Sequence, residues 1–244
     1  MSDYHSQTGS VPAGRADMAV DAGLRSFMLG IYNKMALGLL LSGVLAYVVG
    51  TTPALFNTLL TPPLAYVVMF GPLGILLITS FTMRNPSPMA ASLVYWSVVT
   101  LIGIGMGAIV FAYGRMPDGM TTVAKAFLVT AASFGALSLW GYTTKRDLTG
   151  IGTFLVMGVV GLIVASVVNM FVQSAILSFA ISVIGVLVFA GLTAFDTQRL
   201  KYMYYELQGN ARGMAVATTQ GALALYLDFI NMFMFILRLM SPRS

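Results

Sequence analysis

The chain has no cysteine, a single histidine and only eight acidic side chains in 244 residues. Without cysteine there is no disulfide, no thiolate metal site and no thiol nucleophile. The histidine is His5, close to the start of the chain, so neither a histidine metal pair nor a serine–histidine couple can be assembled. Charge of either sign is scarce: charged residues make up 9% of the sequence, against roughly a quarter in an ordinary soluble domain. The thirteen Lys and Arg give a net charge of +5 but stand singly between apolar runs. That pattern lacks the basic patch a nucleic acid requires and suits anionic lipid headgroups.

Residues 1–25 mix Gly, Ser, Pro and Ala with Asp3, Asp17 and Asp21 and carry no apolar core. A secretory signal needs such a core, and a mitochondrial transit peptide avoids acids. The expected organisation is a flexible cytoplasmic tail over 1–28, a membrane domain over 29–240 and a short tail over 241–244.

What the chain has in quantity is apolar length. Seven runs, near 31–51, 63–83, 89–113, 120–141, 149–171, 174–196 and 216–239, approach or exceed the roughly 20 residues that cross a bilayer core. Breakers separate them, among them Thr52-Pro53, Pro62-Pro63, Asn85-Pro86-Ser87-Pro88 and Met116-Pro117-Asp118-Gly119. The runs are continuously apolar, which excludes the alternating pattern of a membrane β-barrel. The fold class is all-α, an integral membrane protein of seven transmembrane helices. Gly103, Gly105, Gly107, Gly158 and Gly161 fall inside spans and are read as places where helix backbones approach closely.

Placing the N-terminus in the cytoplasm puts Arg15, Arg25, Arg84, Lys145, Arg146, Arg199, Lys201 and Arg212 inside and leaves Arg115, Arg238 and Arg243 outside. The bias favours that orientation. A re-entrant last run would instead give six spans with both ends inside.

Two acids lie within spans, where ionisable groups are costly and usually face protein or water. Asp196 ends the sixth run and Asp228 sits in the middle of the seventh. At 100° per residue Ala217, Gly221, Ala224, Asp228 and Asn231 share one side of the last helix, which should face the bundle. Asp228 is read either as helix glue bonded to Asn231 or a backbone carbonyl, or as a functional acid. Asn169, Gln220 and Asn231 are expected to make interhelical hydrogen bonds, with Gln220 and Asn231 as supporting polar groups of a site.

The strings Phe195-Asp196-Thr197-Gln198 and Ala222-Leu-Ala-Leu-Tyr-Leu-Asp228-Phe-Ile-Asn231, with Leu237-Arg238-Leu239 after them, resemble the signature of the Bax inhibitor-1 family. Tyr32-Asn-Lys-Met-Ala-Leu-Gly38 and Arg84-Asn-Pro resemble its first and second spans. The resemblance implies a last helix surrounded by the other six and a calcium-permeable leak that responds to pH. It also implies that Asp196 and Asp228 pair, that Arg84 latches onto the pair, and that calcium ions and protons, with no cofactor, are what the site handles. Residues 209–213 look like extra link between the two acids. The tail without targeting features, the short loops and the compact length suggest a bacterial inner membrane, with an organellar membrane as the alternative. Some relatives modulate a membrane-anchored ATP-dependent protease, so a regulator that transports nothing is the alternative.

Chemistry agrees with the leak. Two carboxyl groups forced together in a low dielectric share a proton and titrate as a coupled pair. The same oxygens, deprotonated, are hard ligands for Ca²⁺. An intramembrane aspartyl protease is the minor alternative, but Leu225-Tyr226-Leu227 precede Asp228 where such enzymes carry Gly-x-Gly. No enzymatic activity is expected. Depth counting sets a condition: if the sixth helix stops at Asp196 and the seventh starts near 216, the acids differ in depth by about 10 Å or more. Contact therefore predicts a sixth helix that continues past Arg199, to about Tyr205.

Overall fold

In a computed structural model, which describes residues 13–83 and 85–241 with the side chains of 13–21 left aside, the chain is a bundle of helices. Their order is α1 (Ala13–Thr51), α2 (Pro53–Leu59), α3 (Leu64–Thr82), α4 (Pro88–Tyr113), α5 (Gly119–Thr143), α6 (Thr149–Val172), α7 (Ala175–Glu206) and α8 (Ala211–Met240). All except the short α2 are long and apolar enough to cross a membrane, and this is a multi-pass membrane protein. Hydrocarbon offers no water to satisfy a peptide group, so each crossing segment closes its own N–H to C=O ladder.

The helix ends follow from local chemistry. Ser87 caps α4 by accepting from Ala90 N at 3.1 Å, and Pro88 follows at the first helical position, where its missing N–H costs nothing. Ser174 and Asn210 cap α7 and α8 in the same way, accepting from Leu177 N and Gly213 N. The turn between those helices passes through Gly209 at φ +83°, a left-handed conformation that glycine adopts without a Cβ clash.

Two boundaries differ from expectation. The expected tail over 1–28 ends too late: α1 is already helical at Ala13, and Leu24, Phe27 and Met28 are buried in the core. Positions 24, 27, 28, 31 and 35 continue one buried stripe at helical spacing, a period that the polar composition of 1–25 hides. Residues 1–12 of that tail lie outside the described residues. The last span begins at Ala211 rather than 216, and it runs the full length of the bundle, so it is not re-entrant. Its far end meets the end of α4, where Tyr113 and Ser241 hydrogen-bond through their side chains.

α8 is the most buried span, with Leu225, Tyr226 and Met232 fully inside. It packs directly on α1, α4, α5 and α7, while α3 docks on α4 and α6 on α7 as an outer flank. Aromatic rings fill its contact with α5: Phe127 and Phe134 lie edge-on to Phe229 at 5.5 Å between centroids. The α1–α4 crossing depends on missing side chains. A Cβ on Gly103 would stand 2.7 Å from Ser42 Cα, and one on Gly107 would stand 2.8 Å from Val49 Cγ1. Gly161 differs from the reading of it as a packing residue, since a Cβ there meets nothing within 4 Å.

Gly103→Leu is therefore expected to destabilise the bundle by about 1–3 kcal/mol through overpacking. Gly161→Ala should be neutral or stabilising by up to about 1 kcal/mol, from helix propensity. Unfolding midpoints of the two purified variants in detergent check the contrast.

Candidate functional site

α7 continues to Glu206, ten residues beyond Asp196, as contact between the acids requires. The register of the α7–α8 hairpin is fixed by glycines: a Cβ on Gly221 would stand 2.5 Å from Leu200 Cδ2, and one on Gly185 would stand 2.6 Å from Phe235 Cδ2. These pairings set Asp196 opposite the level of Leu225, within one helical turn of Asp228. The first turn of α8 overhangs the end of α7, and the depth difference disappears.

The register brings the carboxyl groups of Asp196 and Asp228 close enough to interact. Two carboxyl groups at hydrogen-bonding distance can bond only when one of them carries a proton. Asp228 is 5% exposed, and its Oδ2 has no fixed donor among the described residues. Asp196 is less enclosed, with 15% of its side chain exposed, and Arg199 Nη1 lies 3.9 Å from its Oδ1. Arg199 is itself 61% exposed, so this pair is a screened surface contact. Arg84 lies outside the described residues.

Asp196, Thr197 and Gln198 fan out from α7 at successive steps of about 100°, and each ties it to a different neighbour. Asp196 reaches α8. Thr197 Oγ1 bonds Ser138 Oγ of α5 at 2.8 Å, and Ser138 in turn bonds Tyr32 OH of α1 at 2.5 Å. Gln198, 2% exposed, accepts from Leu148 N at 2.9 Å and donates to Arg146 O at 2.7 Å, clamping the α5–α6 connection. On the opposite side of α8, Tyr226 OH bonds Ser42 Oγ at 2.6 Å, and Ser42 donates to Val99 O at 3.0 Å. Nearer the α7–α8 turn, Lys34 Nζ donates to Thr219 Oγ1 at 2.7 Å and to Ser92 Oγ at 3.3 Å.

The expected supporting amides act otherwise. Asn231 donates back to Leu227 O of its own helix, and Asn169 accepts from Ser174 N to close the turn after α6. Gln220 is exposed and lines a cavity of about 220 Å³ between α3 and α4. Each has a local or peripheral place because a one-turn bond within the helix needs no partner brought from elsewhere. The residues that do bridge helices, Gln198, Ser138, Thr197, Ser42 and Tyr226, were given no role by their sequence positions. Its place beside Asp196 in the Phe195-Asp196-Thr197-Gln198 string, just past the sixth apolar run, was the available signal for the first of them. Among the described residues no three of His, Cys, Asp and Glu group to hold a metal.

The family model for inhibitors of apoptosis-promoting Bax1 matches residues 24–244. The chain belongs to the Bax inhibitor-1 family. The match starts at Leu24, the first buried residue among the described side chains of α1. An uncharacterised protein of Caulobacter vibrioides is 54% identical over 93% of each chain. A Rickettsia prowazekii protein is 38% identical over 100% of this chain and 99% of its own. The Escherichia coli inner membrane protein YbhL is 36% identical over 94% of this chain and 97% of its own.

Two outcomes follow from this site's surroundings. Gln198→Leu strands the buried Leu148 N–H and leaves Arg146 O without its donor, and should cost about 1–3 kcal/mol, read from detergent unfolding midpoints of the variant and wild type. Between α5 and α6, Asp147 Oδ1 accepts from Thr149 Oγ1 at 2.6 Å and Thr149 N at 2.9 Å. These two bonds hold its carboxyl below the ordinary value of 3.8. A depressed folded value means the stabilisation is complete above pH 3.8 and is lost as pH falls through the lower, folded value. The stability difference between wild type and Asp147→Ala should accordingly hold at pH 5 to 7 and shrink in more acidic buffer, roughly below pH 4.

Proposed function

We propose that this protein is a pH-sensitive, calcium-permeable leak of a bacterial inner membrane, with Asp196 and Asp228 as its proton sensor and ion ligand and Arg84 as a latch on the pair. The observation that carries the reading is the placing of two acids close together inside a membrane bundle, one of them with an oxygen that has no fixed donor among the described residues. A proton and a hard cation compete for those oxygens. The pair offers at most four carboxylate oxygens, fewer than the six to eight that a resident Ca²⁺ takes, which suits an ion that passes with part of its water retained. Arg199 from α7 is the charged group beside the pair, and Lys34 from α1 lies further along α8 on Thr219. The distribution of Lys and Arg supports a cytoplasmic N-terminus, and the inner-membrane relative in Escherichia coli supports the location.

Calcium flux into liposomes holding the purified chain, measured from pH 5 to 8, tests this. Wild type should leak with a clear pH dependence. Asp196→Asn and Asp228→Asn should each flatten that dependence, and Arg84→Ala should shift it. Flux equal to that of empty liposomes at every pH would remove the leak and leave a regulator that binds a membrane partner, such as an ATP-dependent protease.

A further inference from the structure

α1 and α5 both pack on α8, yet among the described residues their backbones do not approach within 8 Å of each other anywhere. The Tyr32–Ser138 hydrogen bond bridges them, and beside it the seam opens outward as a groove. Towards the end of the bundle that holds the α7–α8 turn, a cavity of about 500 Å³ is lined by Met28, Leu29, Phe134, Leu139 and Arg25. Further along, a cavity of about 580 Å³ is lined by Ala36, Leu40, Val44 and Phe127. Arg25 is the one charged residue on these walls. It is exposed and has no acidic partner among the described residues. Beside the same mouth, Lys201 Nζ donates to Tyr142 O at 3.1 Å and stands 5.4 Å from the centre of that ring, and Tyr142 lines the first cavity.

The groove thus has cations at one end and hydrocarbon along its length. From Arg25 to Ala36 the rise is about 16 Å, close to half of the roughly 30 Å hydrocarbon core, which is the depth of one leaflet. We propose that the α1–α5 seam binds one anionic phospholipid, its phosphate between Arg25 and Lys201 and an acyl chain lying along the groove past Tyr32. Charge complementarity selects this occupant. A zwitterionic lipid brings a phosphate already beside its own ammonium and so gains less from these cations, and a free phosphate uses the cations without covering the apolar walls. The site is separate from the acid pair, which lies on the α7 side of α8.

Native mass spectrometry of the full chain in mixed micelles tests the assignment, with phosphatidylglycerol and phosphatidylcholine of identical acyl chains as probes. Wild type should retain one phosphatidylglycerol, preferred by about fivefold or more over phosphatidylcholine. Arg25→Gln with Lys201→Gln should bring the two lipids to near parity. A Cβ on Gly135, which lines the first cavity, meets nothing within 4 Å, so Gly135→Leu fills the slot without displacing its neighbours and should lower retention of both lipids. Millimolar glycerol phosphate should displace nothing. Equal retention of the two lipids by wild type, undiminished retention by Gly135→Leu, or displacement by glycerol phosphate would each overturn the proposal. Unchanged melting of both variants in detergent shows that a loss is local, and Arg25→Gln alone, at an exposed residue, carries the test if either of them unfolds.

Discussion

Two carboxyl groups set close together inside a bundle wrapped in hydrocarbon constrain everything around them. Charging both is costly without a cation beside them, and Asp228 cannot be moved to water without moving a helix. The α7–α8 hairpin is built to that demand. α7 runs on to Glu206, Gly209 turns the chain, Asn210 starts the next helix, and Gly221 leaves room for Leu200 so that the register holds. α1, α4 and α5 pack on α8 on the sides that α7 does not use.

In lipid the apolar side chains have nothing to flee, so helix association rests on close packing and on polar contacts between helices. Both are visible, and α7 combines them, with close approaches at Gly185 and Gly221 beside its polar contacts. α1 and α4 cross where glycines admit the opposing backbone, at Gly103 against Ser42 and at Gly107 against Val49. α7 is held to its neighbours by hydroxyl and amide groups, at Thr197 and Gln198. Ser42 belongs to both schemes, since its backbone receives Gly103 while its hydroxyl joins Val99 and Tyr226.

The positions of the spans were legible in the sequence because turn chemistry interrupts the apolar runs, as Ser87-Pro88 shows. The extension of α7 was legible too, once contact between Asp196 and Asp228 was required of it. Other features were not. In a membrane the outward face of a helix is as apolar as the inward one, so no amphipathic stripe tells that α3 and α6 are flanks or that α1 and α5 part company. The composition of 1–25 concealed the stripe that buries Leu24, Phe27 and Met28. Asn231 shares a face with Asp228, as expected, but bonds to its own helix at Leu227, because sequence places a side chain on a face without saying which of two acceptors is nearer. Gln198 was passed over for the opposite reason: its acceptor and donor, Arg146 O and Leu148 N, are backbone groups that no residue name announces.

The hydroxyl chain from Tyr32 through Ser138 to Thr197 ends on Thr193 O, to which Thr197 donates at 2.7 Å. A carbonyl has no proton to give, so it imposes one sense on the whole row: Thr197 spends its proton there, Ser138 must donate to Thr197, and Tyr32 to Ser138. The row is a rectifier for hydrogen bonding. Its free end is the phenolic oxygen of Tyr32, left with lone pairs once its proton is spent on Ser138, so what the α1 rim of the bundle shows to an arriving molecule at that height is an acceptor whose polarity was set two helices away, at a carbonyl three residues before Asp196.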